Sequence, residues 1–497
     1  MLKLCLKTML PIIVFLVNLS LSTGEFCSTF KIAHVIPLIK KLNLDADTLK
    51  NFRPVSNLAF ISKLIEKIVV AQLNAHLIAN NILEKFQSAY KAFHSTESAL
   101  LRVQNDLLRA VDTHGAAILV MLDLSAAFDT IDHATLLKAL EFQCGISGTV
   151  LKWFGSYLSD RVQAVKIGSV LSAFLNLAFG VPQGSVLGPI LFVLYTSPLS
   201  SIVDRHGLKF HLYADDTQLY IAFKPKDPVS QAAAIDSVEA CANDLRAWMA
   251  NNFLKLNEDK TELIIIKPKA SKSEPFDITI GTDVIHPVLS DKDFPKNLGV
   301  YFDPALSLDY NISKKVRSIN SALYKIGRMR RYLDFKSCKI LINSLMVSRL
   351  DYCNGLLYGL PARAIQPLQR LQNRAARTLT LTPKFASISG VLKDLHWLPV
   401  EKRIVFKVLL FCYKAQHGLA PSYLSELLVP YTPAKDGLRP RPHDLVVPSS
   451  RLATYGDRCF EVAAPRLWNK LPLDIRTSES VPVFKQRLKT YLFTTSI

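Results

Sequence analysis

The sequence of 497 residues predicts an α+β fold, and three observations carry that prediction. Residues 118–122 form a short, wholly apolar run ending in Asp123, as a buried strand does when it delivers a carboxylate at its C-terminal end. Residues 208–223 alternate on both sides of Asp215-Asp216, with Leu208, Phe210, Leu212 and Ala214 before the pair and Leu219, Ile221 and Phe223 after it. Asp tolerates turn conformations, so this is a hairpin with two carboxylates at its tip. Beyond Ser307 the pattern is predominantly helical to about Leu428.

The other elements follow along the chain. Lys3 and Lys7 precede an apolar run at 9–17, and Ser22-Thr23-Gly24 follows it, so the N-terminus has the outline of a signal peptide. The run is too short for an ordinary membrane span, and the expectation is a buried helix of the fold. Residues 33–38 are extended. Residues 61–77 carry Ile61, Leu64, Ile65, Ile68, Val69 and Leu73 at helical spacing, with Ser56 or Asn57 available as caps. A second helix covers 95–111, and Asp132 caps a third through Leu140. Helical spacing returns at 229–252, before an apolar strand at 263–266. The stretch 267–293 supports no assignment. Five prolines between Pro430 and Pro448 mark an irregular segment, and a small terminal unit follows.

At a prior of about 150 residues per domain, the length predicts roughly three folding units. Apolar residues make up 49% and charged residues 20%, a balance that excludes a generally disordered chain. The formal charge of +19 favours a polyanionic partner, nucleic acid before anionic membrane. The excess concentrates at 312–349, where Lys314, Lys315, Arg317, Lys325, Arg328, Arg330, Arg331, Lys336, Lys339 and Arg349 face a single acid, Asp334. Tyr324, Tyr332 and Phe335 are interleaved, and a phosphate-binding face is weighed there against a plain solvated helix surface. Eight cysteines without a Cys-x-x-Cys pair support neither a zinc site nor a disulfide framework, so a reducing compartment fits best.

Chemistry can rest on Asp123, Asp215 and Asp216. Nucleotide transfer needs two divalent ions about 3.5–4 Å apart, and carboxylates from two neighbouring strands can hold both. Mg²⁺ prefers few carboxylates plus phosphates and water, which suits an open site. Taken alone, Asp215-Asp216 reads as a solvated turn and Asp123 as a cap. Their surroundings change that reading. The stretches VMLDLSAAFDTIDH at 120–133, GVPQGSVLGPILFVLYTSPL at 180–199 and HLYADDTQLY at 211–220 closely resemble three consecutive blocks of non-LTR (LINE-type) retrotransposon reverse transcriptases. NFRPVSNLAFISKLIEKIV at 51–69 and FQSAYKAFHSTESALL at 86–101 resemble the fingers segments, and LKLNEDKTELIII at 254–266 and FPKNLGVYFD at 294–303 the late palm blocks.

The resemblance implies a right-hand polymerase: N-terminal extension and fingers at 1–110, a palm with a small antiparallel sheet at 111–304, a helical thumb at 305–365 and a mostly helical C-terminal region of unassigned role at 366–497. It implies RNA-directed DNA polymerase activity on an RNA template, a DNA primer and deoxynucleoside triphosphates, with two Mg²⁺ ions and Mn²⁺ as a substitute. Asp123 and Asp215 would bind the ions, Asp216 would support them, and the backbone at Leu124 would help cradle the triphosphate. Phe128 matches the gate that excludes a 2′-hydroxyl, with an ordinary core aromatic as the rival reading. Gln183 and Gly184 match the loop that contacts nucleotide and template, with a plain Pro-Gln-Gly-Ser turn as the rival, and Arg53 a cation that grips the triphosphate, with a structural ion pair as its rival. Lys91 stands where relatives often carry Arg, and so lacks the planar fork. Lys260 matches the lysine that protonates departing pyrophosphate, against a plain surface lysine. Leu298, Gly299 and Val300 match the turn that grips the primer end. Lys314, Lys315, Arg317, Arg328, Arg330 and Arg331 would track the duplex backbone.

Residues 370–493 resemble the tail of certain animal retrotransposon proteins. Residues 10–24 resemble the helix of the family's own N-terminal polymerase extension, so the expectation is a chain without the endonuclease that normally precedes it. A catalytically inactive nucleic-acid-binding remnant is the alternative reading. The expected location is intracellular, nuclear or cytoplasmic, with no membrane partner.

Overall fold

The computed structural model describes residues 6–41, 43–125, 128–257, 260–271, 274–289, 294–432 and 443–495. The N-terminal apolar run is helix α1 (Leu6–Thr23). It is buried on one side only: Ile13 and Val17 face inward, while Ile12 and Phe15 are 56% and 63% exposed. The expectation of a buried helix is corrected accordingly, because apolar residues all around a helix cannot share the one stripe that meets a neighbour. Among the described residues, no helix is long and apolar enough to cross a membrane.

Strands β1 (Ile32–Ile39) and β2 (Phe52–Asn57) pair antiparallel and lead into α2 (Phe60–Ala79). Ser56 and Asn57 lie within β2, so neither caps α2, whose N-cap is Ala59. Helix α3 (Thr96–Thr113) starts on a Ser95 capping box and precedes β3 (Ala116–Leu122) and the short β4 (Leu124–Ser125). Asp132 caps α4 (His133–Phe142) by accepting from the Thr135 amide, as its sequence position predicts. Then come α5 (Gly148–Leu158), β5 (Val162–Ile167), β6 (Val170–Leu171) and β7 (Leu175–Asn176), which complete a five-stranded sheet with β1 and β2.

Helices α6 (Gly188–Tyr195) and α7 (Leu199–Arg205) precede the predicted hairpin, β8 (Lys209–Tyr213) and β9 (Asp216–Phe223). Helix α8 (Pro228–Asn251), β10 (Lys255–Leu256) and β11 (Glu262–Ile266) follow. Strands β11, β3, β9 and β8 form a four-stranded antiparallel sheet in that order. Every residue of β3 is buried, because the sheet has a core on each side. Ala117, Leu119 and Met121 enter one, with α3 and the C-terminal helices, and Ala116, Ile118, Val120 and Leu122 enter the other, with α2, α4, α6 and α8. A strand covered on both faces needs an unbroken apolar run, which is why its sequence does not alternate.

Two small hairpins follow, β12 (Ile278–Ile280) with β13 (Asp283–Ile285) and β14 (Lys296–Asn297) with β15 (Val300–Tyr301). The rest is helical: α9 (Asp309–Met329), α10 (Phe335–Ile342), α11 (Ser348–Asp351), α12 (Ala362–Thr380), α13 (Ser389–Asp394), α14 (Val400–Gln416) and α15 (Ser422–Ser425). Helices at Phe460–Trp468, Leu473–Arg476 and Val481–Thr494 close the chain. Part of the proline-marked segment, 433–442, lies outside the described residues.

The C-terminal helices are tied to the sheet by buried polar groups. Tyr423 stacks on Phe86, and its hydroxyl meets Oγ of Ser88 at 2.8 Å and of Ser98 at 3.1 Å. Ser88 Oγ also meets His211 Nε2 at 2.8 Å. Burial pushes the His211 imidazole down to about 3, with the charges of Arg102, His94 and Lys91 adding to the effect. The unfolded chain therefore takes up that proton first. Stability is complete above the ordinary histidine value of about 6.5 and is lost as pH falls below it, by about 2 kcal/mol between pH 7 and 5. Urea unfolding at the two pH values is expected to show this loss, and His211→Gln to be less acid-sensitive by that amount.

Candidate active site

The register of the four-stranded sheet brings the carboxylates together. Leu122 pairs with Thr217, so Asp123 emerges beside the start of β9, where Asp216 is the first residue. Tyr213 pairs with Asp216, which leaves Ala214 and Asp215 as a two-residue turn, with Ala214 at φ 57°. That left-handed turn is held from outside the hairpin. Gln87, itself buried, accepts the Ala214 amide at 3.0 Å, and its Nε2 lies 3.4 Å from the Ala214 carbonyl. Asp123 is held through its backbone, whose carbonyl accepts the Asn257 amide at 2.9 Å, and β4 pairs Leu124 with Leu256 of β10.

The three carboxylates act on one another. Burial pushes the Asp215 carboxyl up and Asp123 adds to this, while its own backbone amide, Lys260 and Arg53 pull it back. Asp216 is pushed up to about 6 by its surroundings first, then by Asp215 and Asp123, with Lys260 opposing. Clustered negative charge is thus only partly compensated, by Lys260 Nζ at 2.7 Å from Asp123 Oδ2. Among the described residues, no three His, Cys, Asp or Glu side chains are grouped closely enough to hold an ion by themselves. The donor set fits a hard divalent cation nonetheless, since it is all oxygen and carries charge a cation would relieve. A cavity of about 300 Å³ opens beside it, lined by Asp123, Asp216, Gln218, Lys260, Lys296 and Leu298.

The loop carrying Gln183 and Gly184 is seated against β2 and α2. The Ser56 amide donates to the Gln183 carbonyl at 2.7 Å, and a Cβ on Gly184, at φ 121°, would fall 2.7 Å from the Ser56 oxygen. Glycine is required there by the approach of β2. Glu66, fully buried on α2, accepts the amides of Val186 at 2.6 Å and Leu187 at 3.1 Å and the Ser62 hydroxyl at 3.0 Å. Phe128 is half-buried with its ring 5.1 Å from Phe192, and its carbonyl accepts the Val181 amide. Arg53 stands exposed on β2, and its charge reaches Asp215. Lys91 is placed differently: its Nζ donates to the Glu84 carbonyl at 2.8 Å.

Leu298 and Gly299, at φ 42° and 87°, form the turn between β14 and β15, while Val300, expected in the same turn, is the first residue of β15 and pairs with Asn297. The basic face needs correction at three positions, the first being Arg349, which donates to the Ser318 carbonyl and hydroxyl at 3.0 and 2.7 Å. Lys315 donates to the Tyr352 carbonyl at 2.6 Å, and Arg330 donates to the carbonyls of Thr378, Leu379 and Leu333. Arg330 therefore satisfies the last turn of α12, where orphan carbonyls draw a cation. Arg317, Arg328 and Arg331 remain exposed, and Lys314 is half-buried beside Tyr310. Gln87, Glu66 and Asn257 were not singled out by the sequence. For Glu66 there was a signal, an acid four residues after Ser62 inside an apolar helix face.

The sheet sets Asp123 at a strand end beside Asp215 in the turn and Asp216 at the start of β9, and residues 39–302 match the model of the reverse transcriptase (RNA-dependent DNA polymerase) family. The chain belongs to that family, and its α+β fold is of the right-hand polymerase kind. Members of the family use divalent metal ions. It is 27% identical over 404 residues to a probable RNA-directed DNA polymerase from transposon BS of Drosophila melanogaster, covering 78% of this chain and 42% of that protein. The RNA-directed DNA polymerase from mobile element jockey of the same fly is 24% identical over 398 residues, with coverages of 78% and 42%. This chain thus spans about two fifths of the length of both. A telomerase structure from Candida albicans aligns over 74% of this chain and 65% of that one at 11% identity and TM-score 0.39, a likeness too loose to bear on function.

Proposed function

We propose that this chain is an RNA-directed DNA polymerase of retrotransposon origin, extending a primer 3′-hydroxyl with deoxynucleoside triphosphates on an RNA template. The observation that carries this reading is the sheet register that sets Asp123 beside Asp215 and Asp216 in the block order of the family. Two Mg²⁺ ions, when bound, supply the charge that activates the hydroxyl and stabilises the leaving pyrophosphate. Asp123 and Asp215 would hold them, with Asp216 supporting and the Leu124 backbone helping to cradle the triphosphate. Arg53 meets the triphosphate from β2, Phe128 closes on the sugar, and Gln183 and Gly184 bound the nucleotide's other side. Lys91, held on the Glu84 carbonyl, supports the loop around it instead. Lys260, paired with Asp123, would give a proton to pyrophosphate once released from that carboxylate.

The proposed domains are an N-terminal extension and fingers to about 110, a palm to about 304, a thumb to about 365 and a C-terminal region beyond. In the thumb, exposed Arg317, Arg328 and Arg331 carry backbone contacts to the duplex. The working compartment is nuclear or cytoplasmic, where nucleotides and templates are found. Primer extension on a poly-ribonucleotide template with Mg²⁺ or Mn²⁺ tests the reading. Metal-dependent DNA synthesis supports it, whereas folded protein that binds primer–template and extends nothing leaves only the nucleic-acid-binding remnant.

A further inference from the structure

We propose that Tyr352 is a positioning residue that sets the Leu298-Gly299 turn against the carboxylates, and so the place of the primer end; the inference rests on the polymerase reading above. The turn lines the same cavity as Asp123 and Asp216. Its own hairpin is only two residues per strand, too little to fix it. Two contacts make up the difference. On the sheet side, buried Asn297 donates from Nδ2 to Gln218 Oε1 at 2.8 Å, and Gln218 stands two residues beyond Asp216 on β9.

On the helical side stands Tyr352. Its hydroxyl donates to the Leu298 carbonyl at 2.6 Å and lies 3.3 Å from Thr96 Oγ1 at the start of α3. Its ring lies over Gly299 so closely that a Cβ there would come 3.1 Å from Cε1 and 3.0 Å from the hydroxyl oxygen. The Tyr352 carbonyl in turn accepts Lys315 of α9 at 2.6 Å. One residue thus joins the turn to α3 through its hydroxyl and to α9 through its backbone carbonyl. Leu298 sits in left-handed backbone, which a residue with a Cβ adopts only when its surroundings hold it. The hydroxyl on its carbonyl does that.

Tyr352→Phe keeps the ring and removes only the hydroxyl, so the full-length variant tests the claim without opening a cavity. Expected are an unchanged melting temperature, faster hydrogen exchange in peptides spanning 296–301, and a single-turnover extension rate about tenfold lower at saturating nucleotide, with the nucleotide KM unchanged. A purely structural tyrosine would not lower the rate while sparing both melting and nucleotide KM. Unchanged exchange overturns the inference whatever the activity, and faster exchange with an unchanged rate in an active chain overturns the primer role. If the unsubstituted chain extends nothing, the polymerase reading falls and the primer role with it, while the exchange measurement still decides whether Tyr352 holds the turn.

Discussion

The double substitution Asp215→Asn and Asp216→Asn is expected to lower primer extension by at least roughly 10³-fold, because ions held by these carboxylates supply several kcal/mol of transition-state stabilisation and each 1.36 kcal/mol is tenfold. The same change is expected to raise the melting temperature in metal-free buffer. Both carboxyls are pushed above their ordinary range in the folded protein, Asp216 to about 6. A carboxyl with a folded value above its unfolded one opposes folding at pH 7, and that penalty is relieved as pH falls through about 6. Replacing two such anions by neutral amides of the same shape removes the penalty at every pH. Added Mg²⁺ should narrow the difference, since a bound cation relieves the same repulsion in the unsubstituted protein. Activity lost with stability gained marks residues retained for chemistry. A variant that melts lower would instead make the pair a structural feature of the turn, and scanning calorimetry with and without Mg²⁺ distinguishes the two.

The parts of the fold that were legible in the sequence are those in which local pattern and burial agree. Strand β3 announced itself because both of its faces are covered, and the β8–β9 hairpin because it alternates about a turn-forming pair. What holds that turn was not legible. Gln87 lies 127 residues before Ala214, and nothing in FQSAY distinguishes a glutamine that grips a distant backbone from one facing water. The same block drew attention to Lys91, the charged residue, although the structure engages it with a nearby carbonyl. Charge counting erred in the same way at Lys315 and Arg330. Basic residues on an amphipathic helix read as one solvated face, yet long side chains can reach back to carbonyls of neighbouring segments. Helix α1 shows the reverse case: an apolar run predicts burial, yet only one stripe of it finds a partner.

Glu66→Ala is expected to destabilise the protein by about 3–5 kcal/mol, among the largest effects of any single substitution outside the carboxylates. Its carboxylate is fully buried and lies at the start of α6, accepting the amides of Val186 and Leu187 and the hydroxyl of Ser62. No lysine or arginine among the described residues forms an ion pair with it, so two backbone amides and a helix N-terminus are what make its charge tolerable. Alanine leaves those amides without an acceptor, at about 1–3 kcal/mol each, and adds a void. Glu66→Gln keeps the volume and one acceptor oxygen but sets an NH₂ group where donors already point, and should cost about half as much. The functional consequence follows from position. Glu66 fixes the start of α6, and the Gln183-Gly184 loop runs directly into it, so even the milder variant is expected to raise the nucleotide KM while binding primer–template normally. Urea unfolding gives the first quantity and steady-state extension the second. A Glu66→Gln protein that is destabilised but has an unchanged nucleotide KM would show that the loop is held by its other contacts, with Ser56 and Phe128, without Glu66.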